Sequence, residues 1–428
     1  MEQKKLSVIG FALIAISLFA PPDEVIGKML SVYGLLSVLY PFVQSLRTKD
    51  YHITIVFVFM MSYLFVPFNY FWLGLQINYY NVCTNLTTVY LVLQILCLFH
   101  SILLYNLKLS KGKEIKRELL LESDGIIFTV LAIISFVLIT FGSTGKTIFE
   151  AGGYAEAKEL KTSSSFFGYS IIPISLSLIY ANTKLKKYLA YGLAAYFCLK
   201  DLAFGGRVDT LELLLLMFMI RFQYLWSLKK ILLGAAVGAL FFLAWGALRS
   251  DVNIGFWNAL ANQLPFLDGS GNKVYFQSGN AAEVYYSSAR IIYMIENGIL
   301  TWDMRIQSFI YFLLSSIVPY SALPDLANLS TYKQDIYWCG GGGLGPVFFY
   351  AFGGWIGVIV FSLFVSYCMN LYTKNISRCV FYYVILLFST TPRWYAYYPI
   401  QIIKFCVVGC LLYYFLRELA KRRDTNKY

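Results

Sequence analysis

The chain has 428 residues, of which 58% are hydrophobic and 14% are charged, and its formal net charge is +12 at pH 7. Apolar runs recur along the whole length, which excludes a set of soluble domains and predicts an all-α, polytopic membrane protein. We therefore expect residues 1–428 to form a single integral membrane domain in the lipid bilayer.

The sequence predicts twelve membrane spans, each an apolar stretch of about 15 to 25 residues. The first follows Lys4 and Lys5 and lacks a small-residue cleavage pattern, so we interpret it as a retained helix and not as a signal peptide. The predicted spans are 6–20, 29–46, 51–75, 86–107, 125–143, 166–183, 188–203, 208–226, 230–248, 345–370, 379–392 and 396–416.

The distribution of charge predicts the orientation of these spans. With the N-terminus in the cytoplasm, about 22 of the 35 basic residues fall on the cytoplasmic side, and both termini lie there. The inner side then carries a net charge of about +14 and the outer side about −2. The basic charge thus reflects membrane insertion and not nucleic-acid binding, and an outer anion must be bound by individual residues.

One predicted outer segment, residues 249–344, is unusually long and is expected to contain short helices. Within it, residues 305–320 read "RIQSFIYFLLSSIVPY", which is apolar but too short for a span. A further crossing there would also invert the orientation of everything that follows. We therefore expect a re-entrant or interfacial segment, with the functional site beneath this loop.

Two arginines are predicted to reach the same height at the outer face. Arg207 precedes the eighth span and Arg249 ends the ninth, and the turn between them is centred near Leu228. Each leg rises about 32 Å, so an antiparallel hairpin brings both guanidinium groups to the outer interface. There they can bind a diphosphate together with the N–H groups of Gly205–Gly206. Alternatively, Arg207 pairs with an aspartate, Asp201 or Asp209, and Arg249 is an interfacial anchor.

Further charges are predicted near this level and below it. Arg393 occupies the outer turn between the last two spans. Lys404 lies about 16 Å deeper in the bilayer, where an unpaired charge has a high free-energy cost. Asp209 and Glu212 lie in the first turns of the eighth span. Glu212 is the first candidate partner for Lys404, and snorkelling or a water-filled cavity is the alternative.

The long loop supplies a carboxylate and an arginine seven residues apart, Glu283 and Arg290, which share one face of a helix. Glu283 is a candidate base and Arg290 a candidate anion ligand, unless the helix is simply a solvated amphipathic one. The glycine run at 340–343 is either an anion-binding nest or a flexible joint. Outer aromatic residues, Tyr397 and Tyr398 among them, either stack on sugar rings or form an aromatic belt.

Several function classes find no support in the sequence. The only histidines, His52 and His100, fall toward the cytoplasmic side, so the outer face has no imidazole base and no histidine metal site. Nucleotide-binding glycine motifs are absent, and we predict no metal and no cofactor. The eight cysteines form no CxxC pair, and a bridge between Cys83 and Cys339 requires geometry that sequence does not supply.

The chain resembles the O-antigen polymerases. The resemblance rests on Gly-Gly-Arg-Val-Asp opening a middle span, the long outer loop, "GGGLGPVFFYAFGGWIG", and Arg393 before the last helix. It implies a membrane glycosyltransferase of the GT-C type in the bacterial inner membrane, with a periplasmic active site. Its substrates would be undecaprenyl-diphosphate-linked oligosaccharides, and a chain-length regulator would be a further partner.

By this analogy Arg207 and Arg249 stabilise the diphosphate leaving group, Arg290 and Arg393 assist them, and Glu283 is the base. Two alternatives stay open. An O-antigen ligase shares the architecture but carries a histidine in its outer loop, and this loop has none. A flippase or other transporter of polyprenyl-linked glycans needs charges deep in the bilayer, for which Lys404 and Glu212 are the candidates.

Overall fold

The structure, a computed structural model, describes residues 2–74, 85–109, 122, 124–142, 166–203, 206–248, 255–261, 280–318, 320–337, 339–372 and 376–425. These residues form helices and connections without a strand, which confirms the all-α class. In chain order the main helices are α1 (Glu2–Phe19), α2 (Glu24–Thr48), α3 (Tyr51–Leu73), α4 (Leu86–Asn106), α5 (Gly125–Phe141), α6 (Ile171–Tyr180), α7 (Lys184–Ala203), α8 (Val208–Met217), α9 (Leu228–Leu248), α10 (Phe256–Ala261), α11 (Asn280–Glu296), α12 (Trp302–Leu314), α13 (Leu329–Ile336), α14 (Gly345–Leu371), α15 (Arg378–Ser389), α16 (Thr391–Trp394) and α17 (Lys404–Thr425).

Within the described residues, six helices are long and apolar enough to cross a membrane. Three shorter apolar helices accompany them, and each of the twelve predicted spans coincides with a helix. The helices therefore support a membrane protein, while the number twelve stays a prediction. The six long segments are Glu24–Thr48, Tyr51–Leu73, Leu86–Asn106, Leu228–Gly246, Gly345–Leu371 and Pro399–Arg423.

The chain divides into two compact units, and each of them combines segments distant in sequence. The first unit comprises Met1–Ile115, Asn272–Ile376 and Thr390–Lys404. The second comprises Lys116–Gly271, Ser377–Ser389 and Phe405–Tyr428. The single membrane domain that we expected from the sequence stays a prediction.

The first unit is built around α4, which is the most buried of the long apolar helices, with 78% of its span enclosed. Helices α1, α2, α11 and α14 pack around it. Polar side chains hold this packing where the helices approach closely. The Gln94 amide donates to the Ser17 carbonyl at 3.0 Å, and the hydroxyls of Tyr33 and Ser101 lie 2.6 Å apart.

A glycine allows α1 to approach this centre. A methyl group added at Gly10 would collide with the Tyr33 hydroxyl and with the Ser101 hydroxyl, both of which are buried. We expect Gly10→Ala to lower stability by about 1–3 kcal/mol, because overpacking forces neighbouring groups apart. The apparent Tm of the detergent-solubilised protein measures this effect.

Gly192 in α7 provides the matched control. A methyl group there meets nothing within 4 Å, so Gly192→Ala should be neutral or should stabilise by up to about 1 kcal/mol. An equal fall of the apparent Tm in both variants would show that α1 does not depend on close approach at Gly10.

The second unit combines α5–α10 with α15 and most of α17. Helix α6 packs on α5, α7 and α8, and α8 also contacts α15. The buried Lys200 donates to the Ile139 and Thr140 carbonyls at 2.7 and 3.0 Å, which places a cation at the C-terminal end of α5. Arg378 Nη1 and Glu122 Oε1 form an ion pair of 2.9 Å in the same unit.

Helix α14 is broken at Gly353 and Gly354, and Gly354 has a φ of +61°. A break frees the carbonyls of the preceding turn, and an unsatisfied carbonyl is costly away from water. Arg305 of α12 meets this need, because its Nε donates to the Ala351 carbonyl and its Nη2 to the Tyr350 carbonyl at 2.8 Å. Its guanidinium also stacks on Trp302, 3.7 Å from the ring centroid. Burial lowers the pKa of Arg305, although an arginine remains charged at neutral pH.

The face of α12 beside Arg305 is apolar and exposed. Its side chains are 37–58% accessible, and Ile317 beyond the helix end is 86% accessible. This amphipathic pattern suits an interfacial helix. The re-entrant alternative for residues 305–320 stays a prediction, and Pro319 lies outside the described residues. The exposed apolar residues of α12 are Trp302, Ile306, Phe309, Ile310, Leu313 and Leu314.

Candidate functional site

Three polar side chains lie along one stripe of α11. Glu283, Ser287 and Arg290 are spaced four and three residues apart, which places them on one helical face. Helix α11 packs against α3, α4 and α14, and most of its residues are buried. The expected shared face of Glu283 and Arg290 is therefore present, and the helix is not the solvated amphipathic one that the sequence also allowed.

Arg290 is the central feature of this stripe. Only 4% of the residue is exposed, and its guanidinium carbon lies 4.5 Å from the centroid of the Tyr337 ring. The Nε atom is buried and has no hydrogen-bond partner among the described residues. A buried charge is normally paired, so this guanidinium has unused capacity to bind an anion.

A second cation, Lys333 of α13, lies beside Arg290. Its Nζ atom donates to the Ser287 hydroxyl and to the Gly342 carbonyl, and the residue is 1% exposed. Ser287 precedes Arg290 by three residues, and Tyr337 follows Lys333 by four. Two contacts therefore join α11 to the end of α13. Ser287 contacts Lys333, and one helical turn further along, Arg290 contacts Tyr337.

The glycine run 340–343 is held by hydroxyl groups. The Ser287 hydroxyl donates to the Gly340 carbonyl at 2.7 Å, and the Gly342 N–H donates to the Ser330 hydroxyl at 2.7 Å. The Leu344 N–H donates to the Ser288 hydroxyl at 2.7 Å. These N–H groups are already used within the protein, so neither belongs to the anion-binding nest that we considered, and the run is not a free joint.

Arg393 and Tyr397 approach the same glycine run. A Cβ atom at Gly342, whose φ is +96°, would lie 3.0 Å from the Cα atom of Tyr397. The Arg393 guanidinium carbon lies 5.5 Å from the centroid of the Tyr397 ring. Arg290, Lys333 and Arg393 thus border one region of the first unit, linked through Gly342 and two tyrosine rings.

Tyr398 and Lys404 also belong to the first unit. The Tyr398 hydroxyl donates to the Ala327 carbonyl at 2.9 Å. Its role in substrate binding stays a prediction. Lys404 Nζ lies 5.4 Å from the centroid of the Tyr320 ring. Its pairing with Glu212, which belongs to the second unit, stays a prediction.

Arg207 precedes α8 in the second unit. A methyl group at Gly246, three residues before Arg249, would collide with the Arg207 guanidinium. Arg207 therefore contacts the end of α9, as the predicted hairpin of α8 and α9 requires. Arg249 itself lies outside the described residues, as does Gly205.

Carboxylates surround the start of α8. Asp201 is buried, and its Oδ2 atom accepts from the N–H and the hydroxyl of Thr210 at 3.0 and 2.8 Å. The Gly206 N–H donates to the Asp201 carbonyl at 2.8 Å, so it is not free to bind an anion as we expected. Glu212 is 3% exposed, and Asp209 Oδ2 lies 3.8 Å from the Cβ position of Gly168.

No family model, curated protein or solved structure matches this chain. Within the described residues no group of histidine, cysteine, aspartate and glutamate side chains has the geometry to hold a metal ion. Cys83 lies outside those residues, so its bridge with Cys339 stays a prediction.

The arrangement in the first unit can bind an anion without a metal. Arg290 offers a donor at Nε that no described residue uses, and Lys333 and Arg393 add positive charge in the same unit. Sequence reasoning missed Lys333, Ser287 and Ser330. The spacing of the two serines in the sequence indicates no function. Lys333 lies in the short polar segment "NLSTYKQDIYW", where the sequence alone predicts a solvent-exposed lysine, and only the packing of α13 shows that it is buried.

Proposed function

We propose that this chain is a membrane glycosyltransferase that polymerises polyprenyl-diphosphate-linked oligosaccharides, as O-antigen polymerases do. The observation that carries the proposal is the buried Arg290 guanidinium, whose Nε has no hydrogen-bond partner in the part of the chain that the structure describes. A diphosphate is an anion that such a group binds through forked hydrogen bonds. The twelve spans, the cytoplasmic termini and the outer position of the site belong to this proposal.

In the proposed reaction a sugar hydroxyl of the lipid-linked repeat unit attacks the anomeric carbon of the growing glycan. The new glycosidic bond forms as the bond between that carbon and the diphosphate oxygen breaks. Arg290, with Arg393 and Lys333 beside it, stabilises the charge that develops on the departing diphosphate. Glu283, half-buried two turns before Arg290, accepts the hydroxyl proton. Arg207 and Arg249 have a leaving-group role in this proposal by the resemblance to O-antigen polymerases.

The surface polysaccharide of a deletion strain tests this proposal. A polymerase predicts that single repeat units still cap the surface lipid while long chains disappear from the gel. Loss of all capping would instead identify a ligase, and intracellular accumulation of lipid-linked units would identify a flippase. Either of those patterns, reversed by the intact gene, would refute the proposed polymerase.

A glycine pair on α9 tests the contribution of Arg207. We expect Gly246→Ala to reduce long chains by roughly 10- to 100-fold, because a displaced catalytic group loses its geometry. Gly238→Ala on the same helix is the matched control, since a methyl group there meets nothing within 4 Å. Gel densitometry at equal protein level compares the two variants. Equal chain lengths in both would remove Arg207 from the proposed mechanism.

A further inference from the structure

A groove between α1 and α2 in the first unit is unrelated to the site around Arg290. It has a volume of about 480 Å³, and its lining is almost entirely apolar. Helix α1 contributes Leu6 and Leu13, and α2 contributes Val25, Met29, Val32 and Leu36. Apolar concavities of about 300–1,000 Å³ are typical of small-molecule sites in proteins.

On α2 the lining corresponds to the depth of about one leaflet. From Val25 to Leu36 it follows the helix for eleven residues, which is about 16 Å along the helix axis. This is close to half of the hydrocarbon thickness of about 30 Å. Along α2 the groove therefore starts near the membrane surface where the helix begins and reaches about the middle of the hydrocarbon layer, while on α1 it extends to Leu6.

A cation and an indole ring stand at the surface end of the groove. Lys28 is the one charged residue that lines it within the described part of the chain. Lys28 Nζ lies 5.8 Å from the centroid of the Trp72 ring, and Trp72 Nε1 donates to the Ser31 hydroxyl at 3.2 Å. An amine and an indole at headgroup depth above an apolar channel match the chemistry of a lipid phosphate with its acyl chain.

We propose that this groove binds one acyl chain of a singly charged anionic phospholipid, with its headgroup phosphate at Lys28. Two carboxylates, Asp23 and Glu24, lie within five residues of Lys28 and are exposed at the same end. With Lys28 they give this end a local formal charge of −1, which repels a multiply charged headgroup, such as a polyprenyl diphosphate, more strongly than a singly charged one. A single phosphodiester charge fits one lysine, and an acyl chain fits the depth of one leaflet.

Quenching of Trp72 fluorescence by brominated lipids tests the proposal. The full chain is reconstituted in phosphatidylcholine vesicles, and its quenching is compared with that of Trp72→Phe, so that the difference reports the groove. We expect brominated phosphatidylglycerol to quench at a lower mole fraction than brominated phosphatidylcholine. Lys28→Gln should reduce this preference about fivefold, the effect of one lysine near an anionic surface.

Two further variants make the test specific. Lys186→Gln is the matched control, because Lys186 also lies over an aromatic ring, 5.6 Å from the Phe128 centroid, but does not line this groove. It should leave the preference unchanged. Val32→Phe fills the groove and should abolish the Trp72 quenching by both lipids.

Three results would overturn the proposal. The first is equal quenching by the two brominated lipids in the unaltered chain. The second is a Lys28→Gln variant that behaves like Lys186→Gln. The third is displacement of brominated phosphatidylglycerol by undecaprenyl phosphate or by inorganic phosphate more effectively than by plain phosphatidylglycerol. None of these results depends on the glycosyltransferase assignment.

Discussion

Replacing Arg290 with alanine is expected to remove long glycan chains from the cell surface while single repeat units persist. Loss of one preorganised donor to a developing charge costs about 10²–10³ in rate. The guanidinium packs on Tyr337, and its buried Nε has no partner among the described residues, so this donor is available to the developing charge. Gel analysis of surface polysaccharide in a complemented deletion strain measures the effect.

Controls separate the chemistry of Arg290 from its packing. Arg290→Lys keeps the charge but loses the forked donors, so we expect an intermediate chain length. Tyr337→Phe keeps the aromatic face under the guanidinium and should preserve polymerisation. If Arg290→Ala yields a normal chain-length distribution at equal protein level, the anion site lies elsewhere.

Replacing Arg305 with alanine is expected to lower stability more than any other change proposed for this chain. The variant leaves the Tyr350 and Ala351 carbonyls without their donors at the break in α14. Each unsatisfied buried carbonyl costs about 1–3 kcal/mol, which gives about 2–6 kcal/mol in total. We expect a lower apparent Tm in detergent and a lower yield of folded protein.

The same helix supplies the comparison for Arg305. Gln307 is exposed on α12, so Gln307→Ala should change the apparent Tm little. Arg305→Lys can restore one of the two donors and should fall between the two variants. An Arg305→Ala protein as stable as Gln307→Ala would mean that water satisfies the carbonyls at the break.

The helices were predictable because apolar runs of membrane length leave few alternatives for the backbone. Every predicted span coincides with a helix, and the loop between α9 and α14 contains the expected short helices. Length and composition do not reveal that α4 and α11 are enclosed by other helices. That enclosure depends on contacts between segments distant in sequence.

The candidate site was predictable only in part, for a related reason. The seven-residue spacing of Glu283 and Arg290 places both on one face of a helix, independently of the elements that pack against that face. The partners across from that face come from the glycine run and from α13, whose approach is set by the Ser287 and Ser330 hydroxyls. Serine hydroxyls form hydrogen bonds to the backbone in many kinds of structure. The positions of Ser287 and Ser330 in the sequence therefore do not predict these contacts.

The break at Gly353 and Gly354 shortens the continuous part of α14, a helix that is predicted to cross the membrane. Beyond it, residues 355–371 form a straight segment of about 25 Å, near the lower limit for a span of about 17 residues. Hydrophobic mismatch then favours bilayers with shorter acyl chains, since thicker ones must thin locally around this helix. The activity of the protein in reconstituted vesicles should therefore depend on the length of the lipid acyl chains, independently of headgroup charge.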